Sequence, residues 1–570
     1  MKWLKILTLI SLSVCGSVIQ ALEPGATLPR SDHLPSQLPE ASAKPKLQIP
    51  IPDRTKPLAT TQQGPRFVLR EIHFVGNTVF DDQQLQNIIA RWLGREIAPI
   101  DLESIRFELA GFYRQAGYIN SGVLLPQQHI QAGVVRYQII EGRLSEIHIE
   151  GAGRLADRYL QTRLQTNPDE PLNQQELLDR FQMLLNDPLI ERLNGTLKPG
   201  ARPGESLLDL QVSRRQPYAL NIGLDNYTPP SVGAYTGRLD GALRNLTGWG
   251  DLLDLNLNYS EGLQSLGSQF SVPIAAAQTR LNLNFQGSQA RIVDSLLQPL
   301  NVENAFYHLS AGLSQPLYLS TRRSFIVDGQ FAYRYTRSAL LGTDTGLSDG
   351  SEANGKSTVS VFRLSQNYLD KTLERVISLR STFSVGADLL GATTHYGLTR
   401  YVSNGNTLYY QEPDSRFFSW LGQARFVQQL DPQGSELFMR GDLQLAAQSL
   451  LPLERFALGG IYTIRGYRQN ELVRDNGYAL ALEVRYPLLN PEHYAGNTLK
   501  LVPFVDYGRA WNDRQAGQTL WSLGVGLQWQ WQLVNAEFYW AQAMNKAPVV
   551  KQQGDIQDSG IHFRLSFKIL

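Results

Sequence analysis

Two charged residues stand out for the chemistry they could do together. Arg465 lies between Ile464 and Gly466, with Tyr467 next and Leu458, Gly459 and Gly460 just upstream. Asp506 interrupts an otherwise apolar and aromatic stretch, Phe504, Val505, Asp506, Tyr507, Gly508. If Val505 and Tyr507 face lipid, Asp506 points to the other side of its strand. A guanidinium enclosed by a barrel needs an acidic partner, because a poorly solvated charge is costly when unpaired. A two-pronged guanidinium–carboxylate contact suits that need. Gly466 would allow a tight turn and Gly508 would leave room on a wall. A plainer reading stands beside this one: Arg465 occupies an exposed turn and Asp506 only wets a lumen.

Other chemistry is sparse. The His residues are scattered, and His73 and His148 read as sheet residues rather than ligands. With Cys15 as the only cysteine, there is no zinc-type cluster. No Ser, His and acid arrangement stands out by spacing. No glycine-rich phosphate loop runs into Lys and Ser or Thr. The chain therefore reads as a non-enzyme with no cofactor and no metal. Its net charge is +1 and it has no long charged run, which gives nucleic-acid binding little support.

The elements that would position Arg465 and Asp506 are strands with one apolar and one wet side. Leu253, Leu255, Leu257 and Tyr259 interleave with Asp254, Asn256 and Asn258; Leu281, Leu283 and Phe285 interleave with Asn282, Asn284 and Gln286. The same alternation recurs at Leu437 to Leu445, Leu523 to Trp531 and Ile561 to Ile569. Side chains on a strand alternate between faces, so each stretch has a lipid-type and a water-type side. So many long stretches rich in Asn, Gln and Arg on one face point to a membrane β-barrel. A mean hydropathy of −0.24 does not contradict it, since a barrel hides its apolar residues in alternate positions. Residues 216–570 hold about 16 candidate strands, an even number as single-chain bacterial barrels require. Short turns are expected at 245–250 and 431–434, and long outer loops near 340–356, 391–415 and 542–560. Tyr409, Tyr410, Phe417, Phe418, Trp420, Trp529, Trp531, Tyr539 and Trp540 read as an aromatic girdle.

At the N-terminus Lys2 and Lys5 precede an apolar stretch from Ile6, and Ala21 is an acceptable cleavage residue. Residues 1–21 thus read as a secretory signal peptide, too short for an anchor. Cleavage would remove Cys15 and leave no thiol for a periplasm to oxidise. Residues 22–65 are proline-rich and read as a tail or linker, with room for a short helix only around 40–46. Residues 66–142 read as strand, helix, helix, strand, strand: a strand over 68–75, a helix capped by Asp81 or Asp82, a second opened by Asp101, then strands at 123–125 and 134–140. Residues 143–215 repeat that order. Two tandem α+β units of βααββ type are therefore expected before the barrel.

Signal peptide, two βααββ units and a barrel together resemble the outer-membrane transporters of bacterial two-partner secretion, the haemolysin/haemagglutinin secretion and activation type. These belong to the outer-membrane superfamily with POTRA domains. Ile72 to Thr78 looks like the opening POTRA strand and turn, Tyr113 to Ile119 like the second-helix exit, and Ile140, Glu141 and Gly142 like the POTRA end. Arg465, Gly466 and Tyr467 resemble the superfamily's motif at the tip of a loop folded into the pore, placed here around 455–475. Phe504, Asp506 and Gly508 resemble its partner motif on the barrel wall. The resemblance implies a contact between Arg465 and Asp506. Two departures follow from the residues. The chain ends Lys568, Ile569, Leu570 rather than on an aromatic, so the barrel assembly signal is expected at Phe563 and Phe567. The prolines of the tail argue against a long plug helix.

What the resemblance implies is a translocator in the outer membrane of a Gram-negative-type bacterium, with its POTRA domains in the periplasm. Its cargo would be one large secreted protein of adhesin, cytolysin or toxin class, taken unfolded. Its other partners would be outer-membrane lipid and the barrel assembly machinery. An assembly factor for other barrel proteins is the alternative, and a passive porin or nutrient receptor a more distant one.

Overall fold

In the computed structural model, residues 34–39, 46–48 and 66–570 are described, apart from short stretches at 165–166, 168, 276–277, 296, 397–398, 404–405, 490–495, 514–515 and 546–553. The expected signal peptide with Cys15, most of the proline-rich tail, and residues 40–45 of the possible short helix lie outside the described residues. The chain divides into two compact units.

The larger unit is a closed antiparallel barrel of 16 strands. In order they are β1 (Tyr218–Asp225), β2 (Thr236–Arg244), β3 (Leu252–Tyr259), β4 (Leu263–Pro273), β5 (Arg280–Arg291), β6 (Glu303–Leu319), β7 (Arg323–Leu340) and β8 (Lys356–Lys371). Then come β9 (Arg375–Ala387), β10 (Phe418–Gln429), β11 (Glu436–Ala446), β12 (Asn476–Leu489), β13 (Thr498–Trp511), β14 (Gln518–Trp531), β15 (Val534–Ala543) and β16 (Ile561–Lys568). Each pairs with the next, and β1 pairs with β16 from Asn221↔Lys568 to Asp225↔Arg564, so no open edge remains. A two-residue strand, Thr343–Asp344, extends the ladder of β7 into the loop that follows.

Period-2 alternation sets both faces. Leu255, Leu257, Leu283 and Tyr507 project outward. The lumenal face of β3–β6 carries mainly amides and hydroxyls, with Asp254 and Arg280 among them: Asn282 Nδ2 donates to Ser314 Oγ at 2.7 Å, Asn284 Nδ2 to Ser310 Oγ at 3.0 Å, and Arg280 Nε to Ser271 Oγ at 2.8 Å. The lumenal face of β7–β13 is charged and paired, as in Arg425–Asp442 at 3.2 Å and Arg485–Glu483 at 3.3 Å. The same alternation corrects the expected aromatic girdle. Phe418, Trp531 and Trp540 are exposed to the membrane side, but Phe417 and Tyr539 are buried inside. Tyr539 precedes the outward Trp540, so its side must be the lumen. The side chains of Tyr409 and Tyr410 lie outside the described residues.

The smaller unit holds both βααββ repeats. In the first, Glu71–Val75 runs parallel to Val134–Ile140, with Gly122–Leu124 on the far edge. The single strand expected over 68–75 is two, Phe67–Val68 and Glu71–Val75, because the amides of Leu69 and Arg70 turn aside to Arg95 and Gly133. Asp81 caps the helix Asp82–Ile89. The second helix, Pro99–Gln115, starts two residues before Asp101, with Pro99 in its first turn, where a missing N–H costs nothing. The second repeat pairs Arg143–Glu150 parallel to Glu205–Arg214, with helices Asp157–Leu164 and Gln174–Leu185 over the sheet. On its outer edge, Lys46–Gln48 adds a parallel strand to Ile190–Pro199.

Glu141 explains why an acid ends the first repeat. Its carboxylate accepts the Thr78 and Val79 amides, each at 2.8 Å, the Tyr113 hydroxyl at 2.9 Å, and the Thr78 hydroxyl. Burial alone would push this carboxyl up, but the hydrogen bonds outweigh it and hold it below the ordinary carboxylate range. Burial and the neighbouring carboxylate push the Tyr113 phenol well up.

Two outcomes follow. A folded pKa below the unfolded one adds stability above the unfolded pKa that is lost as pH falls through the folded one. Hydrogen exchange across 71–79 in the intact protein should therefore rise on acidification below about pH 4.5. Glu141→Gln should remove most of that pH dependence and cost about 1–2 kcal/mol, because the site is only partly buried. Equal acid response in both proteins would refute the role. For the barrel, the closed ladder should keep unboiled protein compact in detergent gels and let boiled protein migrate differently. Identical mobility, with the protein in the soluble periplasmic fraction, would contradict it.

Candidate functional site

Between β11 and β12 the chain leaves the wall and folds inward. This loop spans 447–475, longer than the stretch around 455–475 expected from the motif. It opens with a helical turn, Pro452–Glu454, and narrows into a small hairpin of Phe456–Leu458 against Leu472–Arg474. Phe456, Leu458, Ile464, Tyr467 and Leu472 bury themselves against Ala479, Ala510 and Leu520 of the wall. An apolar seal of this kind fixes the loop's position but not its register.

Arg465 supplies the register. Its Nε donates to Asp506 Oδ2 at 2.8 Å and its Nη2 to Oδ1 at 2.7 Å, while its own backbone N–H reaches Oδ2 at 3.0 Å. Its Nη1 lies 2.7 Å from Glu483 Oε1 on β12. The guanidinium plane also rests on Phe504, 3.4 Å from the ring centroid, with Tyr539 at 5.2 Å. Arg465 is 2% exposed and Asp506 0%. A charge this dry is tolerated because its donors are used by carboxylates. The pairing continues through Glu483 to Arg485, from Arg485 to Glu436 at 3.7 Å, and from Glu436 to Lys500 at 2.8 Å. Three cations and three anions thus alternate along the wall.

The other motif residues are shaped to the same contact. Gly466 has φ +90°, and a Cβ there would stand 2.9 Å from the Ala541 carbonyl oxygen. A Cβ on Gly508 would stand 2.7 Å from Leu458 Cδ1 and from the Tyr478 carbonyl, so only glycine lets the hairpin lie against β13. The Tyr467 hydroxyl donates to the Trp521 carbonyl at 3.1 Å and accepts the Asn545 amide at 3.3 Å. Arg465, Gly466, Tyr467, Phe504, Asp506 and Gly508 therefore converge. Phe563 and Phe567 do not join them. Both face outward on β16, where Phe567 stands opposite Ile222 of β1 and Val534 of β15.

Several participants are not in either motif. Glu483 shares the lumenal parity of Ala479 and Ala481, a legible signal that β12 carries a second acid beside Asp506. Arg468 forks onto Asp558 in the loop before β16, at 2.6 and 2.7 Å. His562 Nε2 accepts the Gly466 amide at 3.4 Å. Neither partner has a spacing cue. Residues 34–39 also lie in this unit: the Ser36 carbonyl accepts Arg485 Nη1 at 2.8 Å, and Leu38 packs on Val376, Val427 and Phe438. The chain's own N-terminal tail thus enters the lumen, without helix over these residues.

The site has the form of a latch: a loop held across a lumen by side chains rather than by a sheet ladder. Comparison with known proteins places it. Residues 204–529 match the family model described as haemolysin secretion/activation protein ShlB/FhaC/HecB, and residues 67–142 match the POTRA domain of ShlB type. The chain is 25% identical to the outer membrane transporter CdiB of Dickeya dadantii over 82% of this chain and 80% of that protein. It is 22% identical to the heme/hemopexin transporter protein HuxB of Haemophilus influenzae over 87% and 85%. In fold it is similar to CdiB from Escherichia coli, with a TM-score of 0.68 at 20% identity over 91% of this chain and 93% of that one. BamA from Haemophilus ducreyi shares the fold at 0.52 and 13% identity, over 88% and 100%. The chain is an outer-membrane transporter with periplasmic POTRA domains, and it belongs to the haemolysin secretion/activation (ShlB/FhaC/HecB) family of two-partner secretion.

Proposed function

We propose that the protein captures one large secreted partner in unfolded form through its POTRA domains and passes it through the barrel lumen without nucleotide hydrolysis. The observation that carries this reading is the latch. At the loop's tip the hold is two carboxylates on one arginine, a side-chain contact that can break without disturbing the sheet ladder. Lys46–Gln48 on the edge of Ile190–Pro199 supports the capture step, since that edge takes an extended segment by main-chain pairing. The amide and hydroxyl side chains that predominate on the lumenal face of β3–β6 support the passage step. Such side chains can trade hydrogen bonds with a moving backbone without trapping it in an ion pair. Folding of the partner outside the cell would prevent its return. The cargo would be an adhesin, cytolysin or toxin. The relative named hemolysin transporter protein HpmB, of Proteus mirabilis, fits the cytolysin class.

Residues 1–21 would serve as the signal peptide, residues 66–142 and 143–215 as the POTRA domains, and residues 216–570 as the barrel. Phe563 and Phe567 would present the assembly signal to the barrel assembly machinery. The rival reading, an assembly factor for other barrels, is separated by its neighbour: a gene for a very long secreted protein beside this one favours export.

Deleting residues 67–142 should abolish secretion while leaving the barrel in the outer membrane, since no barrel ladder uses them. Normal export by the truncated protein would remove the capture role. Arg465→Ala should cut secretion strongly and barrel abundance much less, because passage needs a loop that can seat on the wall again as well as leave it. Asp506→Ala should do similar harm, because losing one partner of a buried pair can cost roughly 3–5 kcal/mol, and less where water reaches the lumen. The double variant should be little worse than either single, since paired residues are not additive. Secretion normalised to outer-membrane level decides it: normal secretion by Arg465→Ala, or two defects that simply multiply, would break the pair's assigned role.

A further inference from the structure

The root of the inward loop has charges of its own, separate from the latch at its tip. Glu454 ends the helical turn Pro452–Glu454 and is 9% exposed. Its Oε1 accepts Arg334 Nη1 at 3.0 Å, and Arg363 Nη2 reaches Oε1 at 2.7 Å and Oε2 at 2.6 Å. Arg334 also donates to the Leu453 carbonyl. The Glu454 carbonyl accepts Gln444 Nε2 of β11 at 3.0 Å. Arg334 and Arg363 stand on β7 and β8, whereas Asp506 and Glu483 stand on β13 and β12.

Around this cluster Phe306, Val359, Val361, Leu450, Leu451 and Leu453 form a separate apolar seal. The side chains of Arg334 and Arg363 are 1% and 9% exposed. One carboxylate thus holds two guanidiniums with little water to screen them. Without it the two cations would face each other across the space the loop root fills, and the repulsion would act on the loop.

We propose that Glu454 is a positioning residue for the inward loop, a second anchor that fixes its root to the β7–β8 wall. The loop is then held on both flanks of the strand pair it springs from. Release of the Arg465 tip alone leaves it tethered, and full clearance of the lumen needs both anchors to let go. The inference rests on the reading of the loop as the closure of an export pore.

The test uses the full-length protein in planar bilayers, with heat-modifiable barrel level and partner secretion measured in parallel. Glu454→Gln keeps the shape and removes the charge. Alone it should raise the open-channel fraction, but by less than the roughly tenfold expected for losing charge-assisted hydrogen bonds, because the Arg465 tip still holds the loop. Combined with Arg465→Ala, it should exceed the product of the two single effects, because either anchor alone still holds the loop. The exchange Arg363→Glu with Glu454→Arg should recover part of the closure. If Glu454→Gln does not assemble, Arg363→Gln carries the same test with a smaller rise, since it removes one of the two guanidiniums that Glu454 holds and leaves Arg334 in place. An unchanged open fraction, or a double variant no more open than Arg465→Ala alone, overturns the proposal. Conductance needs no client, so a leakier channel in a protein whose unsubstituted form secretes no partner would count against the export reading and leave the anchor standing.

Discussion

Everything in the barrel's interior answers to one constraint: a guanidinium buried at the tip of a loop must have its donors filled. Arg465 meets it with both oxygens of Asp506 and one of Glu483. The rest of the wall is arranged so that those acids are themselves balanced. Arg485 sits against Glu483, Glu436 against Arg485, and Lys500 against Glu436. Gly508 is bare so that the hairpin can come close enough, and Gly466 takes a left-handed conformation so that the arginine can turn back to the wall. The sheet ladder contributes nothing to this hold, so the loop could leave the wall without breaking the barrel's pairing.

The lumen is correspondingly two-sided. Charge is paired along β7–β13, partly covered by the loop, and again where Asp225 of β1 meets Arg238 of β2 and Arg564 of β16. Strands β3–β6 offer mainly amides and hydroxyls instead. An ion pair exposed to a passing chain would exchange partners and arrest it. An amide wall offers many weak and equivalent contacts. At the first POTRA domain Glu141 holds the Thr78–Val79 turn by three hydrogen bonds and the Tyr113 hydroxyl by a fourth, and among the described residues the far sheet edge, Gly122–Leu124, pairs with no further strand.

Much of this is written in local pattern. Leu253 to Tyr259 announces a half-lipid, half-water strand, and the order of strand and helix signals over 66–142 announces the repeat. Asp506 is legible because its neighbours Val505 and Tyr507 leave it only one direction to face. Where expectation and structure part, a long-range or parity effect is the cause. Tyr539 was grouped with Trp540 by composition, although adjacent residues on a strand cannot share a face. The loop root begins near Ala447 rather than 455 because Leu450 to Leu453 has no periodicity, and its apolar character comes from a seal formed with Phe306 and Val359 far upstream. Glu454 finds Arg334 about 120 residues earlier, and no spacing rule reaches that far. The strand expected over 68–75 divides because Arg95 and Gly133 accept its middle amides.

The central claim is that the inward loop must leave the wall for a partner to pass. A reversible cross-link tests it most directly, since Cys15 is the only native cysteine and no other thiol competes. Arg468 reaches Asp558 just before β16, so Arg468→Cys with Asp558→Cys, joined through a short dithiol spacer, would tie the loop to the wall beside β16 when oxidised. The account expects export of the partner to stop in the oxidised transporter and to resume on reduction, at an unchanged level of folded barrel. Export by the fully cross-linked protein at the rate of its reduced form would contradict it.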